Sequence, residues 1–311
     1  MKIGIDTGFG HTKYALYADG KLKLGKFPSV VANANDDFND RSDHVRIFEN
    51  QLYYVSDIAL KQDPKDIKEL ISYKTLERFA PLLIAEVLRL ENLNSQEVSS
   101  VGLGLSPAHK EHAATFKKRI SSFAVDEKEY KFKNISITPQ GVGAVHAIKK
   151  FWENGGVEEP NDYITVDIGF NTMDVIITYD KQIQKGKINE DNSFEQKGII
   201  QIAELMQKYI KNEFQKEITL KEALVIFLGE SYKLRGQNHN LSEVVKTMKA
   251  QYTIKTMEFL EQKYSNDFDK MDAICFVGGG GYFIDGQYAQ HIQTFKDSEY
   301  YNAIGNLLML K

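Results

Sequence analysis

The sequence predicts an α/β protein built from two duplicated domains, and three observations carry that expectation. IDTGFGHTKYAL at 5–16 has an echo in VDIGFNTMDVII at 166–177: each is a β-branched run that reaches an Asp, a glycine-bearing turn and a second strand. The 311 residues exceed what one hydrophobic core usually serves, so two domains are the default, with one echo in each. The order of elements repeats as well. Each half reads as hairpin, third strand, helix and strand, which is the pattern of a duplicated α/β domain.

In the first half, KIGIDTGFGHTKYALYADGKLKLGKFPSVV reads as three strands, with Asp19-Gly20 as the turn of the second hairpin. NANDDFNDRSDH at 33–44 is polar and reads as a surface loop. Apolar residues at helical spacing from Asp66 to Leu93 (Ile67, Leu70, Ile71, then Leu82, Leu83, Val87 and Leu90) predict a helical region. SSVGLGLSP at 99–107 predicts a strand ended by proline, followed by a helix from about His109 to Phe123 and a short strand, ISITP, at 135–139. A helix starting near Gly141 runs through Trp152 and stops at Asn154-Gly155-Gly156. The domain boundary is expected there, giving domains at 1–154 and 155–299.

The pattern then restarts. Strands YITVDIG, MDVIITYD and QIQKGKI precede a helix from Gly198 to about Phe214, a helical region from Leu241 to Tyr264 and the strand AICFVGG at 273–279. A closing helix at about 300–311 is expected to pack back on the first domain.

Composition removes several function classes. With 39 Lys+Arg against 43 Asp+Glu the formal charge is −4, so no direct nucleic-acid footprint is visible. The longest apolar stretches, such as FAPLLIAEVLRL at 79–90, are broken by charge and fall short of the roughly 20 residues of a membrane segment. No signal peptide is read ahead of Ile3. Cys275 is the only cysteine, so an intrachain disulfide and a thiolate zinc cage are excluded, and a reducing, cytoplasmic setting is expected. His11, His109, His112 and His146 form neither HxxxH nor HExxH, and there is no GxSxG elbow. GxxxxGK[ST] is also missing, and the chain's first turn is a β-hairpin rather than a dinucleotide-binding βα turn.

What remains is phosphate chemistry. Glycine in a hairpin turn lets successive N–H groups converge on one spot, and two such turns would clamp a phosphate chain. Asp6 and Asp167, at the ends of the two first strands, would repel phosphate unless a cation lay between them. Mg²⁺ suits that arrangement, because it takes a few carboxylates, waters and phosphate oxygens. A third glycine element, VGGGGYFI at 277–284, follows a hydrophobic strand and implies close backbone approach to something flat or charged.

The ordered set IDTGFGHTK, ITPQGVGAVHA, VDIGFNTMD and FVGGGGYFI resembles the first phosphate loop, connecting helix, second phosphate loop and adenosine loop of the actin, sugar-kinase and heat-shock-chaperone ATPase superfamily. The compact length and the ending YYNAIGNLLML are most similar to the ParM-type bacterial plasmid-segregation actins. This resemblance implies two actin-like (ribonuclease H-like) domains with a nucleotide cleft between them. It implies ATP or GTP with Mg²⁺, positioned by Asp6 and Asp167 through water. Thr7, Gly8, Phe9, Gly10 and His11 would present backbone donors to the β- and γ-phosphates, although many relatives carry Ser or Thr where Phe9 stands. Lys13 matches the return-strand lysine that reaches the phosphates. Gly169, Asn171 and Thr172 match the second turn, and Asp174 a second acid. Gly278, Gly279 and Gly280 match the adenosine loop, with Tyr282 or Phe283 flanking the base.

Gln140 matches the position that orients the attacking water, where eukaryotic actin has glutamine and ParM-type proteins glutamate. Glutamine holds water by hydrogen bonds without acting as a base, so slow, conformation-dependent hydrolysis is the expectation. The family reading also implies self-association into a filament and a DNA-binding adaptor that links the filament to DNA. A small-molecule kinase using the same clamp is the alternative. It would need an acceptor pocket and a base near the γ-phosphate, and no acidic motif beyond Asp174 lies near the loops.

Overall fold

The computed structural model describes residues 1–34, 44–284, 286 and 288–310; most of the expected polar loop at 33–44 lies outside them. The chain divides into two compact units. One comprises Met1–Glu159, Gln184–Ser193 and Glu299–Lys311, the other Pro160–Ile183 and Phe194–Ser298. The division falls five residues past the expected boundary at 154. Lys149 explains the difference, since its Nζ lies 2.8 Å from Glu159 and ties the linker to the preceding helix. The short stretch 184–193 groups with the first unit, where Ser193 and Ser106 share a buried 2.7 Å hydroxyl hydrogen bond.

The first unit is organised by the sheet β5-β4-β1-β2-β3, made of β1 (Lys2–Thr7), β2 (His11–Ala18), β3 (Lys21–Pro28), β4 (Ser100–Leu105) and β5 (Asn134–Pro139). β1, β2 and β3 form an antiparallel meander, and β4 and β5 add parallel strands beside β1. Asp19 and Gly20 both take positive φ (50° and 74°), the two-residue turn whose twist matches the flanking strands. All six residues of β4 are buried, as a central parallel strand requires.

Helix α1 (Tyr73–Leu90) starts later than the expected helical region from Asp66. Ser72 accepts from Thr75 N–H and sets the start. Ile67–Glu69 is instead a short strand in a small sheet with Val30–Asn33, Val45–Phe48 and Gln51–Val55. The helix expected at 109–123 appears as a 3₁₀ segment, Pro107–His112, followed by α2 (Ala113–Ser121). Its last residues go into an unforeseen hairpin, Ser122–Val125 with Lys128–Lys131. Helix α3 (Val142–Gly155) ends on Gly156 at φ 65°, the left-handed stop that the glycine pair predicts.

The last helix, Tyr301–Leu308, packs on β1, β2, β4 and α3 of the same unit. Its crossing with α3 is close enough that a Cβ at Gly305 would collide with the Gly143 carbonyl. Ala303 and Leu307 carry its apolar face onto Ala15.

The second unit repeats the plan. Strands β6 (Tyr163–Ile168), β7 (Thr172–Tyr179), β8 (Gln182–Ile183), β9 (Ala273–Val277) and β10 (Ile292–Thr294) run in the order β8-β7-β6-β9-β10. β6 pairs antiparallel with β7 and parallel with β9, as β1 does with β2 and β4. The strand expected from QIQKGKI stops at Ile183 and gives way to a 3₁₀ turn at Lys185–Lys187. Helices α4 (Ile200–Phe214) and α6 (Ser242–Phe268) stand where periodicity places them. Between them lie α5 (Leu220–Gly229) and the hairpin Ser231–Leu234 with Gln237–Asn240, both additional to the expected elements.

Among the described residues no helix is long and apolar enough to cross a membrane.

Candidate functional site

Each unit carries its own acidic loop, at the same place in the repeated sheet. In the first unit Asp6 is the penultimate residue of β1 and faces Lys13 across the hairpin. Lys13 Nζ lies 3.2 Å from Asp6 Oδ2, with the two side chains 13% and 3% exposed. Gln140 Nε2 donates to the other oxygen, Asp6 Oδ1, at 2.8 Å. The carboxylate is therefore held from both sides, by a cation and by an amide.

Gln140 reaches this position because β5 ends beside β4. Its backbone N–H donates to Leu105 O at 2.8 Å, and a Cβ at Gly104 would lie 3.1 Å from Gln140 Cγ. Gly141, not Gln140, is the N-cap residue of α3. The side chain is turned toward Asp6.

Other expected residues of the first loop are placed differently. Gly8 lies beside the pair, with an ideal Cβ 3.5 Å from Lys13 Nζ. Thr7 is buried, and Phe9 is 8% exposed and belongs to the core. The Gly10 carbonyl accepts from Ser29 N–H, and His11 pairs with Pro28, so this end of the loop serves the sheet.

In the second unit Asp167 occupies the position of Asp6, and its cross-strand partner is Asp174. The seventh residue after the first-strand Asp is thus lysine in one unit and aspartate in the other. Both acids of the second unit are buried, at 5% and 1% exposure. Directly opposed residues of an antiparallel pair have Cβ atoms about 4.5–5.5 Å apart. That places two acidic residues side by side on one face of the sheet, where like charges repel unless a cation or hydrogen-bond donors stand nearby.

The second loop is joined by backbone hydrogen bonds to two neighbours. Ile199 N–H donates to Gly169 O and Ile200 N–H to Phe170 O, which anchors the start of α4. Gly280 N–H donates to Ile168 O, and Gly278 N–H to Ser298 O. Gly278 has φ 77°, and a Cβ there would lie 2.5 Å from Asp167 Oδ1 and from Ile168 O. No other residue fits. Gly279, by contrast, has open space on its Cβ side. Gly198 was not singled out by the sequence reading, yet a Cβ there would meet the Gly169 and Phe170 carbonyls at 2.5 Å.

Asn171, in the turn, and Thr172, the first residue of β7, are both buried. Tyr282 is 47% exposed, whereas Phe283 is buried edge-on against Phe227, so it belongs to the core rather than to an open face. Beside Met173 a groove of about 610 Å³ runs between α4 and α6, lined in part by Lys197, Gln201, Tyr252, Lys255 and Phe259. Neither Tyr282 nor the glycine run lines it.

The residues present suit a magnesium nucleotide. The side chains at the ends of the two first strands offer carboxylate oxygens, the donors that a hard cation prefers. Among the described residues no cluster of three or more His, Cys, Asp or Glu is arranged to hold a metal alone.

Comparison with known proteins gives the family. A family model for the N-terminal domain of actin-like proteins matches residues 4–143, and one for the C-terminal part of archaeal MreB-like actin homologues matches 165–289. The chain is an actin-like protein. Among solved structures, the archaeal actin homologue Ta0583 is 19% identical, with a TM-score of 0.73 over 98% of this chain and 97% of its own. A ParM filament from Clostridium botulinum is 18% identical, with a TM-score of 0.76 over 99% and 97%. Bacillus thuringiensis ParM with ATP is 18% identical, with a TM-score of 0.67 over 98% and 96%. These likenesses establish the two-domain actin-like fold for this chain. No curated protein sequence matches it.

Proposed function

We propose that this actin-like chain binds ATP or GTP with Mg²⁺ through both acidic loops, hydrolyses it slowly and polymerises while the triphosphate is bound. The observation that carries this reading is the duplication itself. Asp6, between Lys13 and Gln140, and Asp167, facing Asp174, end equivalent strands of two sheets with one topology.

The residues divide the work by chemistry. Lys13 would meet phosphate negative charge, and backbone N–H groups of the two loops, other than that of Gly169, which donates to Thr172 O, would donate to phosphate oxygens. Mg²⁺ when bound would neutralise β- and γ-phosphate charge, held through water by Asp6 and Asp167. Gln140 donates its amide to Asp6, and its Oε1 is the acceptor that would orient a water toward the γ-phosphate. An amide cannot take the water's proton, so turnover is slow. Gly279, with its open Cβ side, is where a nucleoside would pass closest to the backbone.

Related structures support the same reading. Ta0583 has been solved with ADP, Bacillus thuringiensis ParM with ATP and AMPPNP, and Clostridium botulinum ParM as a 15-stranded filament. By that likeness the partners are further copies of this chain and an adaptor protein that carries DNA. The process served is plasmid or other DNA segregation in the cytoplasm.

Sedimentation and light scattering with Mg²⁺ and ATP, GTP, ADP or no nucleotide test the proposal. Polymer is expected with a triphosphate and is expected to disperse as phosphate is released. Absence of polymer across salt and protein concentration, with phosphate transferred to a small acceptor, would favour a kinase.

A further inference from the structure

We propose that Asn302 and Asn306, one turn apart on the last helix, are positioning residues that set Gln140 against Asp6. The inference rests on reading Gln140 and Asp6 as the hydrolytic pair. Asn306 Nδ2 donates to Ile5 O at 3.0 Å, one residue before Asp6. Asn302 Oδ1 accepts from Gly141 N–H at 3.0 Å, one residue after Gln140. The two side chains, at i and i+4, share a helix face. A single face of one helix thus grips the backbone beside both members of the pair.

Both asparagines are buried, at 7% and 2% exposure, on a helix whose other inward residues include Ala303 and Leu307. An amide in such a place is costly unless it is hydrogen-bonded, whereas an apolar side chain would simply pack. The backbone groups they reach give a specific reason for amides here. Gly141 has φ 80°, so the turn between β5 and α3 is sharp, and Asn302 fixes its N–H from outside the helix. Gly104 completes the arrangement. A Cβ there would lie 3.1 Å from Gln140 Cγ and 3.3 Å from Asn306 Nδ2, and its absence lets both side chains approach β4.

The two asparagines use opposite chemistry, which makes the inference testable. Asp keeps the acceptor that Asn302 supplies and sits at the positive start of α3, so Asn302→Asp should retain clearly more activity than Asn302→Ala. Asn306→Asp loses the donor and sets an oxygen against the Ile5 carbonyl. It should lower kcat for phosphate release by about tenfold or more, since displacement of a catalytic group by about 1 Å costs on the order of 10²-fold. Asn302→Ala should fall in the same way, while Kd for a non-hydrolysable triphosphate stays within about twofold of wild type. Should Asn302→Ala not fold, Asn302→Gln, which moves the amide by one methylene, takes its place with the same expectation.

Equal loss in both Asp variants, or affinity and kcat falling together, would make the asparagines merely structural and overturn the inference. So would full activity in Asn306→Asp. If the wild-type chain hydrolyses no nucleotide, or Gln140→Ala leaves the rate unchanged, the hydrolytic reading itself fails. If Gln140→Ala slows hydrolysis and neither Asn302→Ala nor Asn306→Asp does, this inference alone fails.

Discussion

Gln140 donates its side-chain amide to Asp6 at 2.8 Å, across a sequence separation of 134 residues. The contact joins the residue proposed to orient water to the one proposed to hold hydrated Mg²⁺. Gln140→Ala removes the amide without touching Lys13 or the glycine loops. Phosphate release should fall by on the order of 10²-fold, the usual cost of one preorganised active-site donor. Assembly should persist at a similar critical concentration, leaving long-lived polymer. Unchanged phosphate release, measured beside pelleting, would return Gln140 to a structural role at the start of α3.

Lys13 is the positive partner of a nearly dry carboxylate. Removing one member of a buried ion pair typically costs about 3–5 kcal/mol, and the 13% exposure of Lys13 discounts that toward the lower end. Lys13→Met should lower the urea midpoint and, on the proposed contact with terminal phosphate charge, weaken triphosphate binding more than diphosphate binding. Equal loss for ATP and ADP in titration calorimetry would contradict the phosphate assignment.

Neighbouring glycines separate backbone need from ligand need. Gly278→Ala combines a φ of 77° with a Cβ 2.5 Å from Asp167 Oδ1, so it should destabilise the second unit by about 1–3 kcal/mol. Gly279→Ala meets nothing within 4 Å and should fold normally. It should nonetheless weaken nucleotide binding if a nucleoside passes that backbone. Normal affinity in Gly279→Ala would place the nucleoside elsewhere, with the groove beside Met173 the next site to probe.

His146 supplies a pH dependence. Burial first, and the nearby Lys149 second, hold its pKa below the ordinary histidine value. Between that lowered value and about 6.5 the unfolded chain binds a proton that the folded chain does not. Stability from this group is therefore complete above about pH 6.5 and declines as pH falls. His146→Gln should lose less stability than wild type between neutral pH and pH 5.5 in urea unfolding. Parallel pH profiles for the two proteins would contradict the assignment.

The repeated sheet was legible because its signals are local. Each β-branched run ends on Asp before a glycine turn, and the same spacing exposes the exchange of Lys13 for Asp174. Helix α5 was missed although Thr219 and Glu222 form a capping box that the sequence displays. Its short apolar run carries little periodicity to stand out. The early part of 66–93 was misread because Ile67, Leu70 and Ile71 fit helical spacing, while the capping Ser72 and the pairing of Ile67–Glu69 with Val30–Ala32 decide otherwise.

Residues that act through distance left no such trace. Gly198 reads as an ordinary helix-start glycine until the Gly169 and Phe170 carbonyls are brought against it. Asn302 and Asn306 read as polar interruptions of an apolar helix until Gly141 and Ile5 are placed opposite them. The burial of Asp6 and Asp167 was also invisible in the sequence. It makes Asn a safer replacement than Ala at both positions, because shape and hydrogen-bonding capacity are kept.

The central proposal is that Asp6 and Asp167, from different units, would act on one magnesium nucleotide. Equilibrium binding of ATP with and without Mg²⁺, to wild type, Asp6→Asn and Asp167→Asn, tests it directly. Mg²⁺ should tighten ATP binding to wild type, and each single substitution should remove at least about tenfold of that gain, equivalent to 1.4 kcal/mol. The double variant should lose less than the two effects added, because both carboxylates serve the same ligand. If either single variant kept the full Mg²⁺-dependent gain, the two loops would not share a nucleotide and the account would be wrong.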